Sequence, residues 1–466
     1  MPEPAPTPAP TPAPGAGSPS AGQARPAPDA AEPAAAPPLV RNRDFLLVLI
    51  GQGVSSVGDA FSLTALPLLV LAITGATGAT GSGSQLGLVM LAYTIPCVAA
   101  SPLAGTLADR WDRKRIMVGA DLGRAAVLAV LPLAAAGALL RLELVYVISA
   151  LLGLLTPLFT AAYTAAVPRL VHTDQVAAAT GTLQAVTRLG LMIGPSIAGV
   201  LATLSGAVTA LAIDAATFLF SAATLAGLRR APPRAHRVRQ PVSAELRRGL
   251  AHVAGTPPLR SFMVLNALLT LVTAPGLIAL VHHLQLERRQ APWVFGFVLS
   301  ANGIGAIAGY LAAGRVRRAW RTLFVGGNTL RAAANLSFPL LAASPLYMAA
   351  GLVAGFASAF VHCLATLFYV QSVPDAFRGR VAGLAGALES ALYAVGLTAG
   401  GLAIDGFGSG STIALIGALQ LLIGAACWLS PRVRWPEGPA RPAAPPPTPT
   451  PTLTPTPTPT TTTEPP

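Results

Sequence analysis

Charged residues are scarce in this 466-residue chain: Asp, Glu, Lys and Arg together supply only 11% of it, whereas hydrophobic residues supply 53%. An average soluble domain is about one quarter charged. The mean hydropathy is also high, at +0.61. This composition excludes a water-soluble domain and indicates a protein whose solvent is the lipid bilayer.

Cysteine and the motifs of catalysis are almost absent as well. The three cysteines stand alone inside apolar segments. His282 and His283 are adjacent, so on a helix their side chains would diverge by about 100°. These spacings argue against a disulfide framework and against a metal site. Because the chain also has no Gly-x-x-x-x-Gly-Lys-Ser/Thr loop and no Gly-x-Ser-x-Gly elbow, we expect no enzyme activity and no cofactor, and an ion gradient as the source of energy.

Positive charge predominates, with a formal net charge of +13, but it is not gathered on one face as nucleic-acid binding would require. Aromatic residues that could stack on bases make up only 6% of the chain. The arginines instead fall mostly in alternate connections between apolar segments, which is the pattern of cytoplasmic loops. Arg141 and the run Glu287-Arg288-Arg289 are exceptions. We therefore expect a plasma-membrane protein with both termini in the cytoplasm and no nucleic-acid partner.

The apolar segments long enough to span a bilayer number about twelve, in two groups of six. An Arg- and Pro-rich stretch at 229–259 separates the groups, which predicts one bundle over 41–228 and a second over 260–434. Residues 1–40 and 435–466 are rich in proline and predict disordered cytoplasmic tails, the first without the apolar core of a secretory signal. The predicted fold class is therefore an all-α integral membrane protein with twelve transmembrane helices in two pseudo-symmetric six-helix bundles.

A cluster of charged residues between the second and third apolar segments forms the most informative motif. It reads Gly-Thr-Leu-Ala-Asp-Arg-Trp-Asp-Arg-Lys-Arg from Gly105 to Arg115. Further short sequence motifs lie before and after it, at Gln52 to Asp59, Ala65 to Val70, Ile193 to Gly199, Ile213 to Phe218 and Arg378 to Gly383. These motifs, in this order, resemble those of the macrolide-efflux and enterobactin-exporter branch of the major facilitator superfamily. The resemblance implies the major facilitator fold, with a substrate site between the two bundles near the midplane.

The resemblance also assigns a conformational lock to the charged loop, through Gly105, Asp109, Arg110, Arg113 and Lys114. In the family the aspartate docks against a neighbouring helix end and the arginines pair with acidic groups; Asp109 and Arg113 would take those roles here. An acidic side chain at a helix N-terminus contributes about 0.3–1 kcal/mol, enough to bias a nearly balanced equilibrium. The alternative is a basic loop that only sets the topology.

The fifth apolar segment contains Gly190, Gly194, Pro195 and Gly199, a set similar to the antiporter motif of drug exporters. Glycines four or five residues apart let a neighbouring helix approach closely, and a proline removes one backbone donor and bends the segment. The resemblance implies a helix-packing seam of an exporter. Small-residue packing of the kind found in many membrane proteins is the alternative.

Charged side chains inside the predicted spans are candidates for function, because each costs roughly 2.5–3.5 kcal/mol to insert. Asp59 in the first segment and Glu389 in the eleventh are the candidates for proton coupling. A structural ion pair, or solvation from the cytoplasm, is the alternative for Asp59. Arg188 and Arg331 could each pair with a carboxylate or meet an anionic part of a substrate, and Arg188 is the favoured one. For Asp214 a structural role outweighs transport.

Uncharged polar residues in the second half complete the candidate site. Asn266, Asn302, His362 and Tyr369 are the candidates for lining a substrate cavity, although residues of this kind more often form hydrogen bonds between helices. A cavity that is otherwise apolar suits a bulky lipophilic molecule.

These observations together favour a monomeric, proton-driven exporter of drug-like or secondary-metabolite molecules that works by rocking of its two halves. A siderophore or metabolite carrier, in either direction, is one alternative. A non-transporting membrane sensor or scaffold that recruits partners through its proline-rich tails is another.

Overall fold

A computed structural model describes residues 38–77, 81–229, 251, 253–316 and 319–429. Within these ranges eleven segments are long and apolar enough to cross a membrane. The predicted tails 1–40 and 435–466 lie almost wholly outside the described residues, as does most of the predicted loop 229–259.

Long α-helices joined by short connections make up the described chain, and this confirms the predicted all-α membrane fold. The first half contains α1 (Arg43–Thr77), α2 (Ser82–Arg110), α3 (Arg113–Ala136), α4 (Leu142–Leu170), α5 (Val176–Ser205) and α6 (Ala207–Ala226). The second half contains α7 (Pro257–Thr273), α8 (Gly276–His282), α9 (Pro292–Ala313), α10 (Trp320–Ser337), α11 (Ser344–Ser372), α12 (Asp375–Phe407) and α13 (Ser409–Leu429).

One predicted span is interrupted. The candidate span Pro257–Glu287 consists of α7, α8 and a π-helical turn over His283–Glu287. Pro275 lies between α7 and α8 and has no backbone N–H to continue the hydrogen-bond ladder. The seventh crossing is therefore a broken helix.

The ninth predicted segment, α10, is less apolar than the eleven others, because its 18 residues include Arg321, Asn328, Arg331 and Asn335. Its asparagines bind α13. The Asn328 side-chain amide donates to the backbone carbonyl of Gln420, and that of Asn335 to the Gln420 side chain, both at 2.7 Å. Polar contacts between helices thus hold α10 in the bundle at positions where lipid would not satisfy its side chains.

The two ends of the molecule differ in how the apolar core is shared between the halves. The basic end is the one at which α2 ends and α3 begins; the opposite end contains the α5–α6 connection. A cluster of buried residues that includes Leu86 of α2 and Leu397 of α12 joins the two halves. A second cluster, around Phe262, lies within the second half, and a third, around Met117, lies within the first. The halves therefore share one core and also keep separate cores of their own.

Candidate functional site

The two halves are joined at the opposite end by a polar contact, which we term the latch. Asp405, near the end of α12, accepts hydrogen bonds from the backbone N–H groups of Gly83 at 2.8 Å and Ser84 at 2.9 Å. His282 Nε2 lies 2.9 Å from the Ser82 hydroxyl. Because the free N–H groups and dipole at a helix N-terminus favour a carboxylate, Asp405 caps α2 from the other half of the molecule.

Close backbone contact extends the joint at this end. A Cβ added to Gly199 of α5 would lie 3.0 Å from the Pro292 carbonyl oxygen and 3.1 Å from the Gly296 Cα in α9. A Cβ added to Gly87 of α2 would lie 3.0 Å from the Leu397 carbonyl oxygen in α12. Only glycine allows helices to approach this closely.

The same helices diverge towards the basic end. A Cβ added to Gly105 of α2, Gly181 of α5 or Gly386 of α12 would meet no atom of the described residues within 4 Å. The helices that join the halves at the opposite end therefore include glycines near the basic end that no described residue contacts. Together with the separate cores of the two halves, this indicates that the contacts between the halves are concentrated at the opposite end.

A buried group of charges, the acid–arginine cluster, lies in the first half. Arg124 of α3 pairs with Asp121 in the same helix, and its Nη1 lies 3.8 Å from Asp59 Oδ1 in α1. The guanidinium carbon also lies 4.5 Å and 4.3 Å from the ring centroids of Phe159 and Phe218. The Arg124 and Asp121 side chains are 4% and 0% exposed, whereas that of Asp59 is 43% exposed. Of the two carboxylates beside Arg124, Asp59 is therefore the more exposed.

Asp214 of α6 is the fourth member of the acid–arginine cluster. Its carboxylate accepts hydrogen bonds from Ser62 and from Thr217, the latter at 3.2 Å. Asp214 is also close enough to Asp59 to interact with it electrostatically. The cluster therefore contains three carboxylates and one guanidinium, with Arg124 beside Asp121 and Asp59, and it carries two excess negative charges when all three carboxylates are ionised.

Four predicted residues of the second half meet in one cavity. The Asn266 side-chain amide of α7 donates to Glu389 Oε1 of α12 at 2.6 Å, and both residues line a cavity of about 290 Å³. His362 and Tyr369 of α11 line the same cavity, which is otherwise mainly aliphatic. One carboxylate in a cavity with apolar walls can bind a lipophilic molecule that carries a cationic or hydrogen-bond donor group.

The other two predicted cavity residues lie elsewhere. Asn302 of α9 donates to the Gly351 carbonyl oxygen at 3.3 Å and lines a second cavity, of about 250 Å³, within the second half. Arg188 is exposed on α5, two residues before Gly190, and within the described chain no hydrogen bond or ion pair engages it.

The predicted lock loop forms an ordered turn. Asp112 caps α3 by accepting a hydrogen bond from the Lys114 backbone N–H at 2.9 Å. Lys114 Nζ donates to the Leu228 carbonyl oxygen at 2.7 Å, and Arg113 Nε to the Ala108 carbonyl oxygen at 3.2 Å. The two basic side chains thus hold the ends of α2 and α6 beside α3. The remaining predicted members lie on the last two turns of α2: Gly105, Asp109 and Arg110.

The glycines predicted in the fifth segment face two different helices. A Cβ added to Gly190 would lie 2.9 Å from the Ser56 Cβ, and one added to Gly194 would lie 2.9 Å from the Val57 carbonyl oxygen, both in α1. Gly199 and the Pro195 carbonyl group contact α9 of the other half instead. The set therefore contributes both to the first bundle and to the joint between the halves.

Sequence reasoning missed the latch. Asp405 lies on an apolar segment, three residues before Gly408, at the end of the molecule that carries few charges. An acidic residue at such a position was the only feature of the sequence that could have indicated a functional contact. The helix N-terminus that it caps is more than 300 residues away in the chain, so the contact follows from the packing of α2 against α12.

The amino-acid sequence is similar to that of known membrane transporters. Residues 36–454 match the family model described as transmembrane secretion effector. The chain is 27% identical over 404 residues to the multidrug efflux pump Tap of Mycolicibacterium fortuitum, covering 84% of this chain and 96% of the relative. It is 25% identical to macrolide efflux protein A of Streptococcus pyogenes, again covering 84% and 96%.

Solved transporter structures share the fold. The nucleoside transporter NupG aligns with a TM-score of 0.68 at 13% identity, covering 82% of this chain and 98% of NupG. A bacterial homologue of the iron transporter ferroportin in an inward-facing state aligns with a TM-score of 0.64 at 15% identity, covering 84% and 100%. The inward-open xylose transporter XylE of E. coli aligns with a TM-score of 0.63 at 13% identity, covering 85% and 98%.

Proposed function

Because this chain belongs to the transmembrane secretion effector family of the major facilitator superfamily, we propose that it is a secondary transporter that exports drug-like or secondary-metabolite molecules by proton antiport. The acid–arginine cluster carries the proposal, since it places a reachable carboxylate, Asp59, among buried charges. The names of two relatives, a multidrug efflux pump and a macrolide efflux protein, support export and this class of substrate.

We propose that the basic end faces the cytoplasm of a plasma-membrane protein, with both termini on that side, because basic connections are retained there. The halves 41–228 and 260–434 would then rock as two monomeric bundles about the space between them. The closed latch, and glycines at the basic end with no described neighbour within 4 Å, support the interpretation of this state as the one open to the cytoplasm. The lock loop would stabilise the reverse state, in which the basic end is closed.

Proton coupling follows from the charge of the acid–arginine cluster. Three carboxylates face one guanidinium in a largely buried site, and an uncompensated charge at membrane depth costs roughly 2.5–3.5 kcal/mol. A proton on Asp59 removes one excess negative charge and frees Arg124 to pair with Asp121 alone. If substrate binding favours the ionised form of Asp59, the proton must by linkage weaken substrate binding by the same factor, which is the requirement for antiport.

We further propose that the substrate contacts the cavity formed by Glu389, Asn266, His362 and Tyr369. The Tyr369 hydroxyl is buried there without a hydrogen-bond partner among the described residues, so a substrate acceptor could complete it. Glu389 supplies a second negative charge for cationic substrates, and the aliphatic wall accommodates lipophilic ones.

Uptake by inverted membrane vesicles tests the proposal. Vesicles that contain the full chain, acidified inside by an imposed pH gradient, should accumulate ethidium and erythromycin, and a protonophore should abolish the accumulation. The Asp59→Asn variant should lose at least 90% of gradient-driven uptake while still binding substrate, because an amide cannot exchange the proton.

Glu143→Gln is the matched control, because it also replaces a carboxylate by an amide. Glu143 is exposed in the first turn of α4, away from the acid–arginine cluster. This variant should retain native uptake. Native uptake by Asp59→Asn would refute the coupling role, and accumulation that ignores the protonophore would refute antiport itself.

A further inference from the structure

The cavity of about 250 Å³ inside the second half holds a charge that no part of the proposed transport cycle uses. Arg331 of α10 lines this cavity together with Asn302, Asn335 and Ser358. The fifteen lining residues include no aspartate or glutamate. The cavity is separate from the one around Glu389, with which it shares no lining residue.

Two hydrogen-bond donors on the cavity wall have no acceptor in the described part of the chain. Among the residues that the structure describes, neither the Arg331 guanidinium nor the Ser358 hydroxyl makes a hydrogen bond or ion pair. The neighbouring asparagines use their amide N–H groups elsewhere: Asn335 donates to Gln420 at 2.7 Å, and Asn302 to the Gly351 carbonyl oxygen at 3.3 Å. An arginine at membrane depth ordinarily has a partner, since its charge is costly there. The position of Arg331 on the cavity wall would allow an acceptor that enters the cavity to serve as its partner.

The walls define the chemistry of that acceptor. A single guanidinium with no nearby carboxylate selects one negative charge, and the planar donors of arginine match a carboxylate in a two-point contact. Most of the remaining wall is apolar, with Leu277, Val298 and Ile413 among its residues. The volume lies just below the range of about 300–1,000 Å³ typical of sites for drug-sized ligands. We propose that this cavity binds a small carboxylate attached to an apolar group, with Arg331 and Ser358 as its donors.

Benzoate is a suitable probe, and benzamide is its uncharged counterpart of nearly the same shape. Binding to the purified full-length protein is measured by calorimetry and by the ligand-dependent shift in melting temperature, at constant chloride. The native protein should bind benzoate at least tenfold more tightly than benzamide. Arg331→Gln should weaken benzoate binding at least tenfold, and Ser358→Ala by a few fold, because it removes one neutral donor.

Arg321→Gln is the matched control. Arg321 lies on the same helix, but it stacks on Trp428 with its guanidinium carbon 5.1 Å from the ring centroid and does not line the cavity. It should bind benzoate as the native protein does. If Arg331→Gln fails to fold, the Ser358→Ala variant and the benzamide comparison still decide the question.

The carboxylate could come from a free organic acid or from a fatty acid of the membrane, and mass spectrometry of extracted acids separates these sources. One fatty acid per protein in the native and Arg321→Gln preparations, lost from Arg331→Gln, would identify a lipid source. Benzoate binding without a co-purified fatty acid would identify a free acid. Equal benzoate affinity in all variants, or neither benzoate binding nor a retained acid in the native protein, would overturn the proposal.

Discussion

Removal of the latch carboxylate should shift the balance between the two states of the transporter. Asp405 accepts two backbone hydrogen bonds, at 2.8 and 2.9 Å, from the first turn of α2. An N-cap contact of this kind is worth about 1 kcal/mol. The charge at an exposed helix N-terminus adds about 0.3–1 kcal/mol. Because both contacts join the halves only when the opposite end is closed, Asp405→Ala should disfavour that state by about 1.5 kcal/mol, roughly a tenfold change in the ratio of states.

Distances between two spin labels, measured by pulsed electron paramagnetic resonance, can report the ratio of the two states. Leu139 and Leu340 are exposed near the opposite end, in the first and second half respectively, at 65% and 83%. In a cysteine-free background, labels at these positions should show mainly the shorter distance in the native protein. Asp405→Ala should increase the population of the longer distance about tenfold relative to the shorter one. Asp174→Ala is the control, because Asp174 is an exposed carboxylate at the basic end, and it should leave the distance distribution unchanged. An unchanged distribution in Asp405→Ala would refute the latch.

Three further substitutions test other contacts. Gly199→Val places a side chain against the Pro292 carbonyl oxygen, 3.0 Å from the added Cβ. It should destabilise the purified protein by about 1–3 kcal/mol in chemical denaturation, as overpacking does. Gly105→Leu meets no atom within 4 Å of its Cβ in this state, so it should leave stability near native while slowing transport by blocking closure of the basic end. Glu389→Gln removes the charge opposite Asn266 and should weaken binding of cationic substrates about tenfold, measured by equilibrium dialysis, with neutral substrates unaffected.

Each of these substitutions has a result that would contradict the account. Gly181→Ala, at a position where the added Cβ meets no atom within 4 Å, is the control for Gly199→Val, and equal stability of the two variants would refute the close joint between α5 and α9. Native turnover in Gly105→Leu would show that the basic end never closes against α2. An equal loss of affinity for cationic and neutral substrates in Glu389→Gln would mean that Glu389 supports the cavity wall and does not contact the substrate.

The membrane fold could be predicted from sequence because each spanning helix satisfies its own backbone hydrogen bonds and therefore appears as a separate apolar run. Basic connections between alternate runs similarly indicate topology one loop at a time. The weakest run, α10, shows where this reasoning ends. Its Asn328 and Asn335 are satisfied by Gln420 of α13, and that compensation is visible only in the packed bundle.

The candidate site was predicted in part. His362 and Tyr369 are seven residues apart on α11 and share one helix face, so the sequence could indicate that they line the same surface. Their meeting with Glu389 and Asn266 depends on how α7, α11 and α12 pack. For Asp214 the sequence predicts a structural role, and its apolar neighbours do not reveal that α6 packs against α1 and brings Asp214 near Asp59.

Export by this protein should move substrate and protons in opposite directions, with Asp59 coupling the two movements. The most direct measurement uses proteoliposomes of the native full-length protein with no pH gradient, in which a substrate gradient is imposed and the internal pH is followed with a trapped dye. We expect outward substrate flow to drive protons inward, and we expect Asp59→Asn to eliminate this proton movement while remaining folded. Substrate flow without proton movement in the native protein, or equal proton movement in Asp59→Asn, would contradict this coupling.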